Sequence, residues 1–251
     1  MSQTYPSSLY QTISAVEDNH FWFTSRNRMI KSLIHANIVK PYSSKSFLEI
    51  GCGTGIVMAT LERLGFIATG LDVNEKALSY AVKRTKGKLI RQSIFGFKPK
   101  KYYDIVGAFD VLEHIRDDGG FLKACYRLLS PKGFILLTVP AGMSLWSPVD
   151  DLSGHVRRYE YEELLKKLTD VGFTVNSLGY WNSLLLPLYK IWHRKAGLKS
   201  KDVVSSHLQK MPFIINMLLT WIFQLELILS RFIRFPVGAT LVVCAQKGNT
   251  K

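Results

Sequence analysis

Three glycines at alternate positions, Gly51, Gly53 and Gly55, follow an acid, Glu49, at the end of the apolar run 47–50. Glycine has no Cβ and tolerates positive φ, so Gly51 can make a tight turn while Gly53 and Gly55 let a ligand and the next helix approach the backbone. This is a nucleotide-type binding turn, and its spacing excludes two other devices. A dinucleotide fingerprint wants glycine or alanine at position 56, where Ile56 stands, and the Gly-Lys-Ser/Thr ending of a phosphate loop is absent. About twenty residues further on, Asp72 closes the apolar segment 67–71, where an acid can receive a ribose diol.

A second set of residues points to different chemistry. Asp110, Glu113 and His114 fall at i, i+3 and i+4, one face of a helix if the segment is helical, and His155 follows in the loop 153–159. Two carboxylates and two imidazoles would hold a divalent ion such as Mg²⁺, which binds a substrate hydroxyl and lowers its pKa. Without metal, Glu113 and His114 would cap or orient a helix and substrate, and His155 or His114 is the candidate general base. Arg157 and Arg158 would meet an anionic substrate or form a solvated pair.

These groups need elements to position them. Strand-like and helix-like segments alternate from Ser46 onward, predicting a parallel sheet covered on both faces. Helices are expected near 23–38, 54–64, 74–85, 118–129 and 160–171, the last with acids in its first turn and Gly172 after its end. Strands are expected at 47–50, 67–72, up to Ser93 and Ile94, at 103–108, at 134–140 and at 173–180. The aromatic-rich stretch 20–28 precedes an amphipathic segment and reads as a helix anchored on the domain by its aromatics.

The glycine turn, Asp72, the segment 109–115, the Pro131-Lys132-Gly133 turn and the strand after it stand in an order that resembles the class I S-adenosylmethionine-dependent methyltransferases over roughly residues 45–180. The resemblance implies an α/β fold with a doubly wound, mostly parallel seven-stranded sheet, closed by an antiparallel strand at 238–245. It implies an N-terminal helical lid at 1–40, a cofactor-binding core at 41–180, a helical cap insertion at 181–235, and a final strand and tail at 236–251. For S-adenosylmethionine it implies that Glu49, Gly51, Cys52, Gly53 and Gly55 line the methionine part and Asp72 takes the ribose hydroxyls. Val73 would pack on adenine, Ser93 and Ile94 flank it, and Phe109 offer a backbone contact. Arg26 would pair with the cofactor carboxylate, a geometry that suits a guanidinium, with Trp22 as a cover. Asp110, Glu113, His114 and His155 resemble the metal set ExxEH plus distal His of O-methyltransferases in ubiquinone biosynthesis and small-RNA 2′-O-methylation, with Asp110 replacing the first glutamate.

The 251 residues suffice for one large α/β domain with a cap, and 47% of them are hydrophobic. The three cysteines form no CxxC pair, so neither a disulfide framework nor a zinc site is indicated and a reducing, cytoplasmic setting follows. Residues 1–19 lack the blocks of a secretory signal. The net charge of +14 favours an anionic partner. In the cap, the apolar run 213–233 is interrupted by Asn216, Gln224, Glu226 and Arg231. Asn216, Thr220, Gln224 and Arg231 share one helical stripe, predicting a helix that is buried, at a dimer contact, or lying in an interface rather than spanning a bilayer. The excess of lysine and arginine around it matches an interfacial helix near anionic lipid, on the inner face of the membrane.

The reading is therefore an S-adenosylmethionine-dependent methyltransferase acting on oxygen of a small or amphiphilic acceptor, a lipid-linked sugar or quinone-like precursor. RNA 2′-O-methylation and a non-catalytic cofactor-binding role are the rivals. Nucleic acid is the weaker partner, because the basic residues are scattered and form no recognised RNA-binding module.

Overall fold

The structure is a computed structural model that describes residues 9–195 and 211–248. Two helices, α1 (Leu9–Val16) and α2 (Phe21–Asn37), precede the sheet. Then come β1 (Ser46–Ile50), α3 (Ile56–Leu64), β2 (Ile67–Asp72), α4 (Glu75–Ala81), β3 (Lys88–Arg91), β4 (Tyr103–Phe109), α5 (Asp118–Leu128) and β5 (Leu129–Pro140). The chain continues through α6 (Pro148–Ser153), α7 (Tyr161–Val171), β6 (Phe173–Trp181), α8 (Leu186–Lys195), α9 (Phe213–Leu229) and β7 (Thr240–Lys247). The seven strands form one sheet in the order β3, β2, β1, β4, β5, β7, β6. β1 to β5 pair in parallel, and β7 runs antiparallel between β5 and β6. This is the doubly wound α/β sheet expected, mostly parallel with an antiparallel closing strand.

Alternation along β1 shows why both faces are covered. Phe47 packs into the core shared with α2 and α3, while Leu48 and Ile50 point into the core beneath α5 and α7. Strand order reverses between β1 and β4, so the crevice at their carboxyl ends is where such sheets bind ligands. The glycine turn leaves β1 at that crevice, and Asp110–His114 leaves β4 beside it.

Three local expectations differ. β3 stops at Arg91, because Ser93 caps a short 3₁₀ turn, Ile94–Gly96. β5 starts at Leu129, ahead of an irregular stretch with Lys132 at φ +60°, so that Leu129 pairs with Tyr103 and Phe134 with Ile105. The segment 109–115 is not a helix. Asp110 adopts φ +57° and only Leu112–His114 makes a 3₁₀ turn, which removes the common face expected for Asp110, Glu113 and His114.

The cap helix α9 runs 17 residues and ends at Leu229 rather than continuing to Ile233. Among the described residues, no helix is long and apolar enough to cross a membrane. α9 packs on α2 through its polar stripe. The Asn216 side chain accepts from Phe21 N (2.7 Å) and donates to Asn19 O (2.9 Å). Gln224, with its amide oxygen turned inward, accepts from Arg28 at 2.6 Å. Buried Glu226 caps the turn after β6 by accepting from Ser183 N (2.9 Å) and Leu184 N (3.1 Å). Between them Phe223 fills an aromatic cluster with Trp22 and Trp181.

Because Asn216 satisfies two backbone groups at the α1–α2 junction, Asn216→Ala is expected to cost about 1–3 kcal/mol in urea unfolding. Ile228→Ala on the exposed side of α9 is expected to stay within about 0.5 kcal/mol. Equal effects would contradict this docking.

Candidate active site

The glycine turn is held by backbone bonds to the end of β2. Gly51 N donates to Leu71 O (2.7 Å), and Gly53 N donates to the Asp72 carboxylate (2.8 Å), which also accepts from Asn74 N (2.8 Å). Gly55 has φ +83°, and a Cβ there would lie 3.0 Å from Ala81 of α4, so this glycine serves helix packing. Gly53, at φ +54°, is different. A Cβ there would meet only Gly51 O, at 4.0 Å, so its bare face opens away from protein atoms. Burial raises the Asp72 carboxyl above the ordinary range, and the N–H bonds from Asn74 and Gly53 oppose that rise.

A cavity of about 420 Å³ opens beside this turn. Of the sequence candidates, Gly51, Asp72, Val73, Ser93 and Ile94 line it. Val73 presents an apolar side chain 42% exposed, as a residue packing on a flat ligand would. Phe95, half exposed on the same wall, was not singled out from sequence; its signal was its place two residues after Ser93. Glu49, Cys52, Gly53, Gly55 and Phe109 lie outside the cavity lining. Cys52 is buried and its thiol is pushed far up, first by burial and then by the Glu49 and Asp72 charges, so it is chemically quiet. Glu49 is also buried, with Oε2 unpartnered and its carboxyl raised well above the usual range by burial.

Arg26 lies where α2 crosses the ends of β1 and β4. It donates from Nη2 to Phe109 O (2.7 Å) and pairs through Nε with Asp110. At Phe109, expected to offer the cofactor a backbone contact, the carbonyl already accepts from Arg26, and Arg26 is partly committed within the protein. Trp22, expected as a cover, lies tilted against Trp181 (5.3 Å between centroids), with Phe223 of α9 edge to face against it. Sequence reasoning missed Glu17. Buried after α1, it accepts from Thr54 Oγ1 of the glycine turn (2.7 Å) and pairs with Arg84 (2.9 Å), which ties the N-terminal helices over the turn.

Glu113, His114 and His155 converge at the end of β4. One ligand-capable atom from each lies within 4.8 Å of the others. Asp110 is not in this group: its handed turn sends the carboxylate to Arg26 and to Thr138 Oγ1 (2.9 Å), which corrects its assignment as a metal ligand. Glu113 is fully buried and neither carboxylate oxygen has a hydrogen-bond partner. Its carboxyl is raised well above the ordinary value, first by burial and then by the Asp110 charge.

Both imidazoles are oriented from behind. His114 Nδ1 lies 3.2 Å from Gly154 O, which sets Nδ1 as the donor and leaves Nε2 with its lone pair. Burial and the neighbouring His155 push His114 down to about 4, so it is neutral at physiological pH. His155 Nδ1 lies 2.8 Å from Asp150, and its Nε2 faces Glu113 Oε1 at 3.9 Å. Asp150, missed in the sequence, is the third residue of α6 and closes a capping box with Ser147. It also binds Arg158 through Nε and Nη2, both at 2.9 Å. Burial alone would raise its carboxyl, but bonds from His155 and Arg158 outweigh that and hold it at about 2. Arg157 and Arg158, expected to meet an anionic substrate or to form a solvated pair, make ion pairs within the fold, Arg157 with Asp118 and Arg158 with Asp150.

A methyltransferase-domain family model matches residues 22–178. Over 107 residues the chain is 30% identical to the ubiquinone biosynthesis O-methyltransferase of Caulobacter sp. strain K31, covering 39% of this chain and 41% of that protein. The chain thus spans under half the length of that relative. A Mycolicibacterium smegmatis protein named a probable S-adenosylmethionine-dependent methyltransferase is 27% identical over 178 residues, covering 68% of this chain and 67% of that one. The N-methyltransferase NodS of Bradyrhizobium japonicum WM9, solved with S-adenosylhomocysteine, shares the fold at a TM-score of 0.56 and 16% identity, covering 92% of this chain and 89% of that chain. Phosphoethanolamine N-methyltransferase 2 of Haemonchus contortus, solved with S-adenosylmethionine, gives 0.59 at 16% identity, covering 89% of this chain and 53% of that chain.

The raised Glu113 carboxyl fixes a sign. Its contribution to stability is present below the ordinary carboxylate range and is lost as pH rises through its folded value. Glu113→Gln removes that loss. In chelator-treated protein at neutral pH the variant is expected to melt higher by roughly 2–6 °C, a gain of about 1–2 kcal/mol, with the gap closing as pH falls to about 4. An equal or lower melting temperature at neutral pH would contradict the unpaired carboxylate.

Proposed function

The chain belongs to the methyltransferase-domain family, the class I S-adenosylmethionine-dependent methyltransferases, and within it we propose O-methylation of a small amphiphilic acceptor whose hydroxyl is activated at Glu113, His114 and His155. The observation that carries this reading is the fully buried Glu113 carboxyl with no hydrogen-bond partner, beside two imidazoles whose Nδ1 atoms are already engaged. The names of the Caulobacter relatives support oxygen as the atom methylated.

The cofactor suits the site on three counts: the open face of Gly53, the cavity walled by Asp72, Val73, Ser93 and Ile94, and the unpartnered Glu49 oxygen. Asp72 would hold the ribose hydroxyls, Val73 and Ile94 the adenine, and Gly51 to Gly55 with Glu49 the methionine part. S-adenosylmethionine, when bound, would supply a sulfonium methyl group to the acceptor oxygen in line, the S–CH3 bond breaking to leave the neutral thioether as the O–CH3 bond forms, with the hydroxyl proton passing to a base such as His155. The protein's share is alignment and exclusion of water, worth roughly 7–11 kcal/mol when geometry is well held.

Glu113, His114 and His155 also suit a divalent cation, which would lower the pKa of an acceptor hydroxyl. Each imidazole keeps its second nitrogen bonded behind it, to Asp150 or to the Gly154 carbonyl, as metal-binding histidines do. With Asp110 gone from the set, two imidazoles and one carboxylate favour manganese, iron or zinc over the Mg²⁺ suggested by an oxygen-rich set. In this reading residues 1–40 act as a lid, 41–180 with 236–251 as the core, and 181–235 as a cap that brings the enzyme to its acceptor at a membrane surface.

Methyl-labelled cofactor incubated with a lipid and metabolite extract identifies the acceptor by mass. On that acceptor, His155→Ala is expected to lower kcat about 10²- to 10⁴-fold with unchanged cofactor affinity. Chelation is expected to suppress turnover, with Mn²⁺ or Zn²⁺ restoring it. Turnover indifferent to chelators would remove the cation, and full activity in His155→Ala would remove the site.

A further inference from the structure

α9 is amphipathic the wrong way round for a soluble protein. Its polar stripe faces the domain, through Asn216, Gln224 and Glu226. Its apolar side chains face out: Ile214, Leu218, Trp221, Leu225 and Ile228 recur at helical spacing and are each at least half exposed. Phe232 extends the row past the helix end at 80% exposure. At about 1.5 Å per residue, this row runs some 25 Å along the surface. Contiguous apolar surface of this extent marks an interaction site.

We infer that the outward face of α9 inserts into the headgroup region of an anionic phospholipid bilayer, laying the helix in the membrane plane. Charge selects this occupant. Between residues 211 and 237 the only acid is Glu226, and it is buried against Ser183 and Leu184, whereas Arg231 and Arg234 are exposed beside Phe232. An interfacial helix needs this combination: an apolar face to bury and basic residues at its rim for anionic lipid. Two copies meeting face to face across a two-fold axis would repeat the same basic patch on both sides, which disfavours a second copy. Glu226 and Asn216 make the orientation rigid, because rotating α9 would strip both side chains of their partners inside the fold.

The inversion also links the membrane to the chemistry. α9 grips α2 at Phe21, Trp22 and Arg28, and α2 carries Arg26 onto Phe109 and Asp110. α9 therefore stands between a bound bilayer and the helix that carries Arg26. This inference rests on the membrane-surface role proposed for the cap and not on the Glu113 site, so it can fail while the catalytic reading stands.

The full chain is floated with phosphatidylcholine vesicles containing phosphatidylglycerol, and with phosphatidylcholine alone. Binding to the anionic vesicles is expected, weakened by salt and at least about tenfold weaker without phosphatidylglycerol. Trp221→Glu with Phe232→Glu is expected to lower vesicle binding by about tenfold or more, while S-adenosylmethionine affinity, measured by calorimetry, stays unchanged. Two results would overturn the inference. One is wild-type protein that ignores anionic vesicles. The other is a dimer in sedimentation velocity that Trp221→Glu dissociates, which would make a second copy the occupant.

Discussion

A carboxyl group sealed inside a protein with neither oxygen bonded costs on the order of 1–3 kcal/mol, and Glu113 carries that cost at the end of β4. The surroundings do not relieve it. The turn after β4 supplies His114 and the loop after α6 supplies His155; their Nδ1 atoms are engaged by Gly154 and Asp150, and His155 Nε2 faces the Glu113 carboxyl at 3.9 Å. Asp150 is itself pinned by Ser147, His155 and Arg158, and Arg158 is joined to Tyr189 of α8. The network extends outward from one carboxyl group without a hydrogen bond, and each layer orients the one inside it.

The cofactor crevice and this acid–imidazole group share the carboxyl ends of β1 and β4, where the strand order reverses. Arg26 is the joint between them. It reaches from α2 to the end of β4, and its charge also acts on Glu17, Glu49 and Glu113. The helical cover is tied at both ends, by Glu17 on Thr54 of the glycine turn and by Asn216 and Phe223 from α9. What dictates the chemistry and what encloses it are thus connected through a few buried polar contacts.

Much of the fold was legible in the sequence, because β1 to β7 are short apolar runs punctuated by glycines and caps at the right distances. The glycine turn and Asp72 were legible for the same reason: their spacing has few other uses. Asp110 was not. Spacing of i, i+3 and i+4 means a shared face only in a helix, and a single residue at φ +57° sends its carboxylate elsewhere. Glu17 carried no local signal, since it acts on residues distant in the chain; Asp150 carried the Ser147-x-x-Asp150 spacing of a capping box, which says nothing of its bonds to His155 and Arg158. The polar stripe of α9 was visible as periodicity, but periodicity does not say which face meets the protein. That assignment needed Asn216 and Glu226 to find buried partners.

The cation-binding role proposed for Glu113, His114 and His155 rests on three side chains that reach one point. Anomalous diffraction from crystals soaked in Mn²⁺ tests it most directly. One anomalous peak is expected between the Glu113 carboxylate and both imidazoles, with Asp110 outside its reach, and its loss in Glu113→Gln. No peak between these residues, or one that persists in the variant, would contradict it.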